Sequence, residues 1–213
     1  MANCLYLLLS LFYVGMIRYA WRLPAHTDLQ QRLFLIVLAA LCYDNCISGI
    51  GFLIGAGPLL KFLNFFRFAF HVFITPLLCY VALSLARKMR GAAAQRTWVD
   101  IAVWVLVVIF IISGFMHDIA PMDLAPHVQW GVVKYTHAQA AVPITVIVIN
   151  VVILGIASFI WKTAGWPWMF AASAAMFAFA AIPVSKVGLL PGNVGELLLA
   201  TSFLAAQKKT TRA

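Results

Sequence analysis

The sequence has 213 residues, of which 64% are hydrophobic and only 10% are charged, and its formal net charge is +9. A soluble domain is nearer half apolar and a quarter charged, so the composition excludes a water-soluble protein and indicates a polytopic membrane protein. The basic residues form short clusters between apolar segments, which is typical of cytoplasmic loops and argues against a nucleic-acid partner; membrane lipids are the expected partners.

Seven apolar segments are long enough to cross a hydrocarbon core of ~30 Å as helices. They are predicted at about 3–21, 31–55, 66–86, 97–117, 139–161, 166–185 and 189–206. Residues 1–213 are therefore expected to form a single transmembrane domain, an all-α seven-helix bundle, with residues 118–138 as an external loop. Pro76 and Pro191 are expected to kink the third and seventh helices, because proline has no backbone N–H.

The distribution of lysine and arginine predicts the orientation of the bundle. With the N-terminus outside, 11 of the 15 basic residues fall in the loops and tail on the cytoplasmic side. Lys61, Lys134 and Lys186 fall on the opposite side, and Arg67 lies in the third helix. The positive-inside rule therefore predicts an N-out/C-in protein of the plasma membrane, here a bacterial inner membrane.

Two of the six acidic residues fall well inside predicted helices, Asp44 in the second and Glu196 in the seventh. An ionisable group at such depth costs about 3 kcal/mol or more unless it is paired, and it marks a functional site by default. Arg67 and His71 are four residues apart in the third helix and share one face of it. Counting residues along alternating helices places all four in the outer half of the bundle, so we expect them to line one water-accessible pocket.

Carboxylate and imidazole groups are the usual proton donors and acceptors, so the predicted catalytic residues are Asp44, His71 and Glu196. Arg67 is predicted to hold an anionic headgroup or carboxylate. The other predicted substrate-binding residues are Asn45, Asn193 and Tyr43. A metal ion such as zinc or iron is a further option, with ligands drawn from Asp44, His71, His117 and Glu196. Retinal is not expected, because Lys186 precedes the seventh helix instead of lying within it.

The run YDN…G…GPLLKFLNFFRFAFH…TPLL, between residues 43 and 78, resembles a family of small bacterial multi-pass membrane proteins. The segment GNVGE (192–196) fits the same resemblance. Some members are loosely labelled phospholipid phosphatases, but that label implies a serine-glycine-histidine stretch and a later arginine-histidine pair, which this sequence lacks. The topology also resembles ceramidase-like membrane hydrolases, whose zinc site needs a histidine pair on the last helix; the seventh helix has no histidine.

The first functional hypothesis is an outward-facing intramembrane pocket that acts on a lipid-like or amphiphilic substrate, by hydrolysis or isomerisation. A small proton-coupled transporter is the alternative, because two buried carboxylates could titrate during transport. A third hypothesis is an accessory subunit of a larger membrane complex, in which the polar cluster serves packing. The sequence leaves open whether the protein is an enzyme.

Overall fold

The computed structural model describes residues 2–24, 28–90, 97–138, 144–182 and 190–211, and most of them are helical. The helices, in chain order, are α1 (Ala2–Trp21), α2 (Leu29–Ile54), α3 (Pro58–Ile74), α4 (Leu77–Arg90), α5 (Thr97–Gly114), α6 (Ile144–Ala164), α7 (Trp168–Ala180) and α8 (Leu190–Thr210). A π-helical turn, Phe115–Ile119, extends α5, and it is followed by strands β1 (Leu124–Gln129) and β2 (Val132–His137). Lys186 and the predicted helical residues 139–143, 183–185 and 189 lie outside the described residues.

Within the described part of the chain, four helices are long and apolar enough to cross a membrane: α1, α2, α5 with its π turn, and α6. The pair α3 and α4 makes a fifth candidate if it is taken as one bent span. The described part of α7 is apolar but has only 13 residues. The chain is therefore a predominantly helical integral membrane protein.

Basic side chains gather at one end of the bundle, which we call the basic end. It contains the C-terminal ends of α1, α4 and α8, the N-terminal ends of α2 and α5, and the connection between α6 and α7. The contacts that join these segments are Lys88–Asp28, Arg87–Asp100, Lys208 over the Tyr19 ring, and Lys209 over the Trp166 ring. With α3 and α4 counted as one segment, because they share one direction, successive helical segments thus run in alternating directions.

The third predicted helix is broken at Thr75–Pro76, where α3 and α4 meet at an angle of 41°. This confirms the expected kink, because Pro76 cannot donate the backbone hydrogen bond that would continue α3. The helix also begins earlier than predicted, with Pro58 in its first turn after Gly57. Pro191 is the second described residue of α8, next to residues outside the described part of the chain, so the kink expected there stays a prediction.

The segment predicted as an external loop contains a two-stranded antiparallel hairpin, β1–β2, so the fold is not purely α-helical. The strands pair from Leu124 with His137 to Gln129 with Val132. The two-residue turn between them, Trp130–Gly131, has positive φ at both positions (57° and 78°), as a type I′ hairpin turn requires. A non-glycine residue rarely adopts such a φ, which is why the sequence did not predict this turn.

The hairpin packs on the end of the bundle opposite the basic end. Asn3 Nδ2 donates to the Gly131 carbonyl at 2.9 Å, and the Phe68 and His137 rings meet edge to face. Gly51 of α2 lies against the backbone of β2, so close that a Cβ there would overlap the Val133 carbonyl oxygen. The hairpin is therefore a cap seated on α1, α2 and α3.

Gly51→Ala is expected to displace this cap and to lower the free energy of unfolding by about 1–3 kcal/mol, the usual range for overpacking. The added Cβ would meet backbone, which cannot rotate away as a side chain can. Thermal unfolding in detergent, with amide hydrogen exchange of β1 and β2, measures the effect. Gly155→Ala is the matched control, because a Cβ on that exposed α6 glycine meets open space. Equal stability of the two variants would contradict a tight seat for the hairpin.

Candidate functional site

A buried ion pair joins α2 to α3. Arg67 Nε donates to Asp44 Oδ1 at 2.7 Å, and the two side chains are only 8% and 6% exposed. The other Asp44 oxygen, Oδ2, accepts from Asn193 Nδ2 of α8 at 3.0 Å. Arg67 Nη1 donates to Asn64 Oδ1, one turn earlier on α3, at 2.6 Å. Both carboxylate oxygens therefore have partners, which is what a charge inside a bundle needs to be tolerated.

A second pair, His71 and Glu196, lies beside the first and is less completely satisfied. His71 Nδ1 is 3.3 Å from Thr75 Oγ1, which holds the imidazole on the face of α3. Its Nε2 is 3.8 Å from Glu196 Oε1, too far for a hydrogen bond but close enough for charge interaction. Among the described residues, the buried Glu196 Oε2 has no hydrogen-bond partner. An orphaned carboxylate oxygen of this kind is available to a ligand or a water molecule.

Arg67, His71 and Glu196 form the polar end of a small, partly open cavity of about 50 Å³. The walls come from α2, α3, α4, α6, α7 and α8, and almost all the lining side chains are apolar. Asn150 also lines the cavity and is polar, but its side-chain amide is engaged in hydrogen bonds with Ser173 of α7. Towards the basic end the cavity reaches Phe34 and Phe203. The combination of apolar walls with a few convergent polar groups is the composition of a site for an amphiphilic group.

The predicted site residues thus separate into two groups. Asp44, Arg67, His71, Asn193 and Glu196 come together at the polar end of the cavity, although Asp44 and Asn193 stand behind Arg67 and do not line it.

Tyr43, Asn45 and His117 do not join them. The Tyr43 hydroxyl donates to the Leu63 carbonyl at 3.0 Å, and Asn45 Nδ2 donates to the Leu41 carbonyl within α2. His117 lies exposed in the π turn after α5. These three residues do not line the cavity.

Two contributing residues had no role in the sequence interpretation. Asn64 supports the Arg67 guanidinium, and Thr75 holds His71. Helical spacing could have suggested both, because Asn64 is three residues before Arg67 and Thr75 is four residues after His71.

Three of the four predicted metal ligands are within reach of a common point. One ligand atom each from Asp44, His71 and Glu196 lie within 4.8 Å of one another. Glu196 Oε2 and His71 Nε2 have no hydrogen-bond partner among the described residues, whereas both Asp44 oxygens already accept hydrogen bonds, from Arg67 and Asn193. The nearby Arg67 charge opposes a cation, so these residues fit a proton-sharing cluster better than a metal centre.

Lys134 of β2 extends from the cap towards this cluster and is only 4% exposed. Its ammonium lies 5.7 Å from the centre of the Tyr6 ring of α1. Burial, reinforced by the Arg67 charge and opposed by Asp44, lowers the pKa of Lys134 from 10.5 to about 7. The cap therefore tolerates Lys134 best in its neutral form.

This lowered pKa predicts a pH-dependent cap. Between pH 7 and about 10, a Lys134 released from the bundle binds a proton that the docked one does not, so docking strengthens as the pH rises, by at most about 1.4 kcal/mol per pH unit. Below pH 7 both forms are protonated, and the dependence stops. Hydrogen exchange of the hairpin amides, corrected for intrinsic rates, should show docking that strengthens between pH 7 and about 10 in the wild type. The same slope is expected in the control Lys61→Met, because Lys61 is exposed. An unchanged slope in Lys134→Met would refute the assignment.

Comparison with models of known protein families finds no match, and comparison with curated proteins finds none. The resemblances noted from the sequence therefore stay predictions.

Proposed function

We propose that this chain is a plasma-membrane protein of seven transmembrane helices, N-out and C-in, that takes a lipid-like amphiphile into its cavity. The alternating helix directions and the basic end support this topology, because positively charged segments stay in the cytoplasm. The basic end is then cytoplasmic, and the hairpin cap and the polar cluster lie in the outer half.

The observation that carries the proposal is the division of the cavity into an apolar body and one polar end. The apolar walls would hold a hydrocarbon chain, and Arg67, His71 and Glu196 would hold the headgroup. Arg67 supplies positive charge, while Glu196 Oε2 offers an acceptor without a partner. A headgroup with both an acceptor oxygen and a hydroxyl or carboxyl proton would satisfy both groups.

The same residues support acid–base chemistry on that headgroup. His71 and Glu196 lie close enough to exchange a proton through the headgroup or a water molecule, across their 3.8 Å separation. Asp44 has a different role, because both of its oxygens are engaged: it fixes Arg67 from behind. We therefore assign proton transfer to His71 and Glu196, and headgroup positioning to Arg67 supported by Asp44 and Asn193.

Filling the cavity tests the proposal without touching its polar end. Ala40 of α2 lines the cavity, whereas the neighbouring Ala39 is exposed on the outer surface of the helix. Ala40→Phe should abolish retention of amphiphiles that copurify with the protein, as detected by native mass spectrometry, and Ala39→Phe should not. If Ala40→Phe retains the same molecules in the same amounts, the cavity is not their binding site and the proposal fails.

A further inference from the structure

We propose that the basic end of the bundle contains a closed hydration site, in which Gln30 and Gln31 of α2 and Gln207 of α8 bind ordered water. This inference is independent of the proposed function, because none of the three glutamines lines the cavity.

The observation that carries it is a set of buried amide atoms without partners. The side chains of Gln30, Gln31 and Gln207 are only 2%, 0% and 1% exposed. Within the described part of the chain, four of their atoms have no hydrogen-bond partner: Gln30 Nε2, Gln31 Oε1, Gln207 Nε2 and Gln207 Oε1. Burying a polar atom without a partner is costly, and in folded proteins ordered water commonly supplies the missing partner.

A pair of stacked rings shows that the three glutamines lie at one level. The ring centres of Phe34 of α2 and Phe203 of α8 are 5.9 Å apart. Because α2 begins and α8 ends at the basic end, the two helices run in opposite directions. Gln30 and Gln31 precede Phe34 by about one helical turn, and Gln207 follows Phe203 by about one turn. The glutamines therefore lie beyond the two rings, on the side away from the polar end of the cavity.

The end of α1 fixes the same meeting point independently. Gln31 Nε2 donates a hydrogen bond to the carbonyl oxygen of Ala20. The ammonium of Lys208, the residue after Gln207, lies 5.6 Å from the centre of the Tyr19 ring, and Tyr19 is the residue before Ala20. Two adjacent residues of α1 thus contact the two segments that carry the glutamines, so the unpaired amide atoms surround one place where α1, α2 and α8 meet.

The chemistry of the unpaired atoms identifies the ligand as small and neutral. Two of them are amide nitrogens, which donate, and two are carbonyl oxygens, which accept. An anion would leave the two oxygens unpaired, and a cation would leave the two nitrogens unpaired. Water both donates and accepts, and it is the smallest molecule that does so, which suits side chains that are almost completely buried.

Transfer of magnetisation from water, measured by solid-state NMR on the protein in a bilayer, tests the site. The side-chain amides of glutamine and asparagine are labelled with ¹⁵N. The amide protons of Gln30 and Gln207 should gain signal from water at least about three times as fast as those of Asn64. Asn64 is the internal control, because it is also buried but both its amide nitrogen and its oxygen are engaged, by the Leu60 carbonyl and by Arg67.

A variant tests whether the glutamines bind the water together. Gln207→Met removes two of the four unpaired atoms and keeps the length of the side chain. The transfer to Gln30 should then fall at least about threefold, because the water loses its partners on α8. The midpoint of thermal unfolding should also fall, by about 2–4 °C. Thr201→Val, on an exposed face of α8, is the matched control and should change neither measurement.

Two results would overturn the inference. Transfer to Gln207 that is no faster than transfer to Asn64 would mean that the glutamine amides are dry. A Gln207→Met protein that unfolds at a higher temperature than the wild type would mean the same, because removing unpaired buried atoms from a dry site is stabilising. The comparison of Gln207 with Asn64 uses only the wild type, so it decides the question even if Gln207→Met does not fold.

Discussion

Asp44→Ala is expected to lower the free energy of unfolding by about 3–5 kcal/mol, the range measured when one partner of a buried ion pair is removed. Arg67 would stay inside the bundle with its charge unpaired, and Asn193 would lose its acceptor. Thermal unfolding in detergent gives the change in stability. Asp28→Ala is the control, because the Asp28–Lys88 pair is largely exposed, and pairs of that kind contribute about 1 kcal/mol or less.

A double variant tests whether the unpaired Arg67 charge causes the loss of stability in Asp44→Ala. Asp44→Leu combined with Arg67→Met removes both charges together, and replacing a buried ion pair by apolar residues is often neutral or stabilising. We therefore expect the double variant to regain most of the stability that Asp44→Ala loses. If the free energy of unfolding of Asp44→Ala is within about 1 kcal/mol of the wild-type value, the ion pair does not hold α2 against α3.

Glu196→Gln is expected to slow any conversion of the bound amphiphile by a factor of about 10²–10⁴, the usual contribution of one general acid or base. Glutamine keeps the size of the side chain and can still accept a hydrogen bond, but it cannot exchange a proton with His71. Purified protein is incubated with a lipid extract of the host, and the species that change are followed by mass spectrometry.

The control for this experiment is Asp123→Asn, which makes the same carboxyl-to-amide change at an exposed position before the hairpin. Retention of the copurifying amphiphiles is measured on both variants, so that loss of binding is distinguished from loss of chemistry. A Glu196→Gln protein that retains these amphiphiles and converts lipids at the wild-type rate would remove Glu196 from any catalytic role. Proton-driven uptake into vesicles that requires Glu196, without lipid conversion, would instead favour the transporter alternative.

The polar cluster could be located from the sequence because burying charge in a membrane is costly. Asp44 and Glu196 stood out as acids inside apolar segments, and Arg67 was the cation at matching depth. Counting residues along alternating helices was enough to predict that these side chains lie at a similar depth, in the outer half of the bundle. What the cluster does stays a prediction, because depth says nothing about a substrate.

The hairpin and the position of Lys134 could not be predicted in the same way. The pairing of β1 with β2 is a contact between two segments, and the pattern within either segment does not reveal it. The turn sequence Trp130–Gly131 is also not among the usual sequences for a two-residue turn. Lys134 looked like an ordinary lysine of an external loop, but pairing places it on the inner face of β2. Likewise, α3 begins at Pro58, before the exposed Lys61, whereas hydropathy placed the start of this helix at about residue 66.

The hydrogen bond from Asn193 to Asp44 connects residues 149 positions apart and has a consequence for biogenesis. The ion pair of α2 and α3, and the hairpin that covers it, are encoded before residue 139, so a ribosome completes that part of the chain first. Asn193 and Glu196 arrive only with α8, after α6 and α7 have been inserted. Two separately expressed fragments, residues 1–138 and 139–213, should therefore reassemble through this bond when they are made in the same cell, with Asn193→Leu weakening their association.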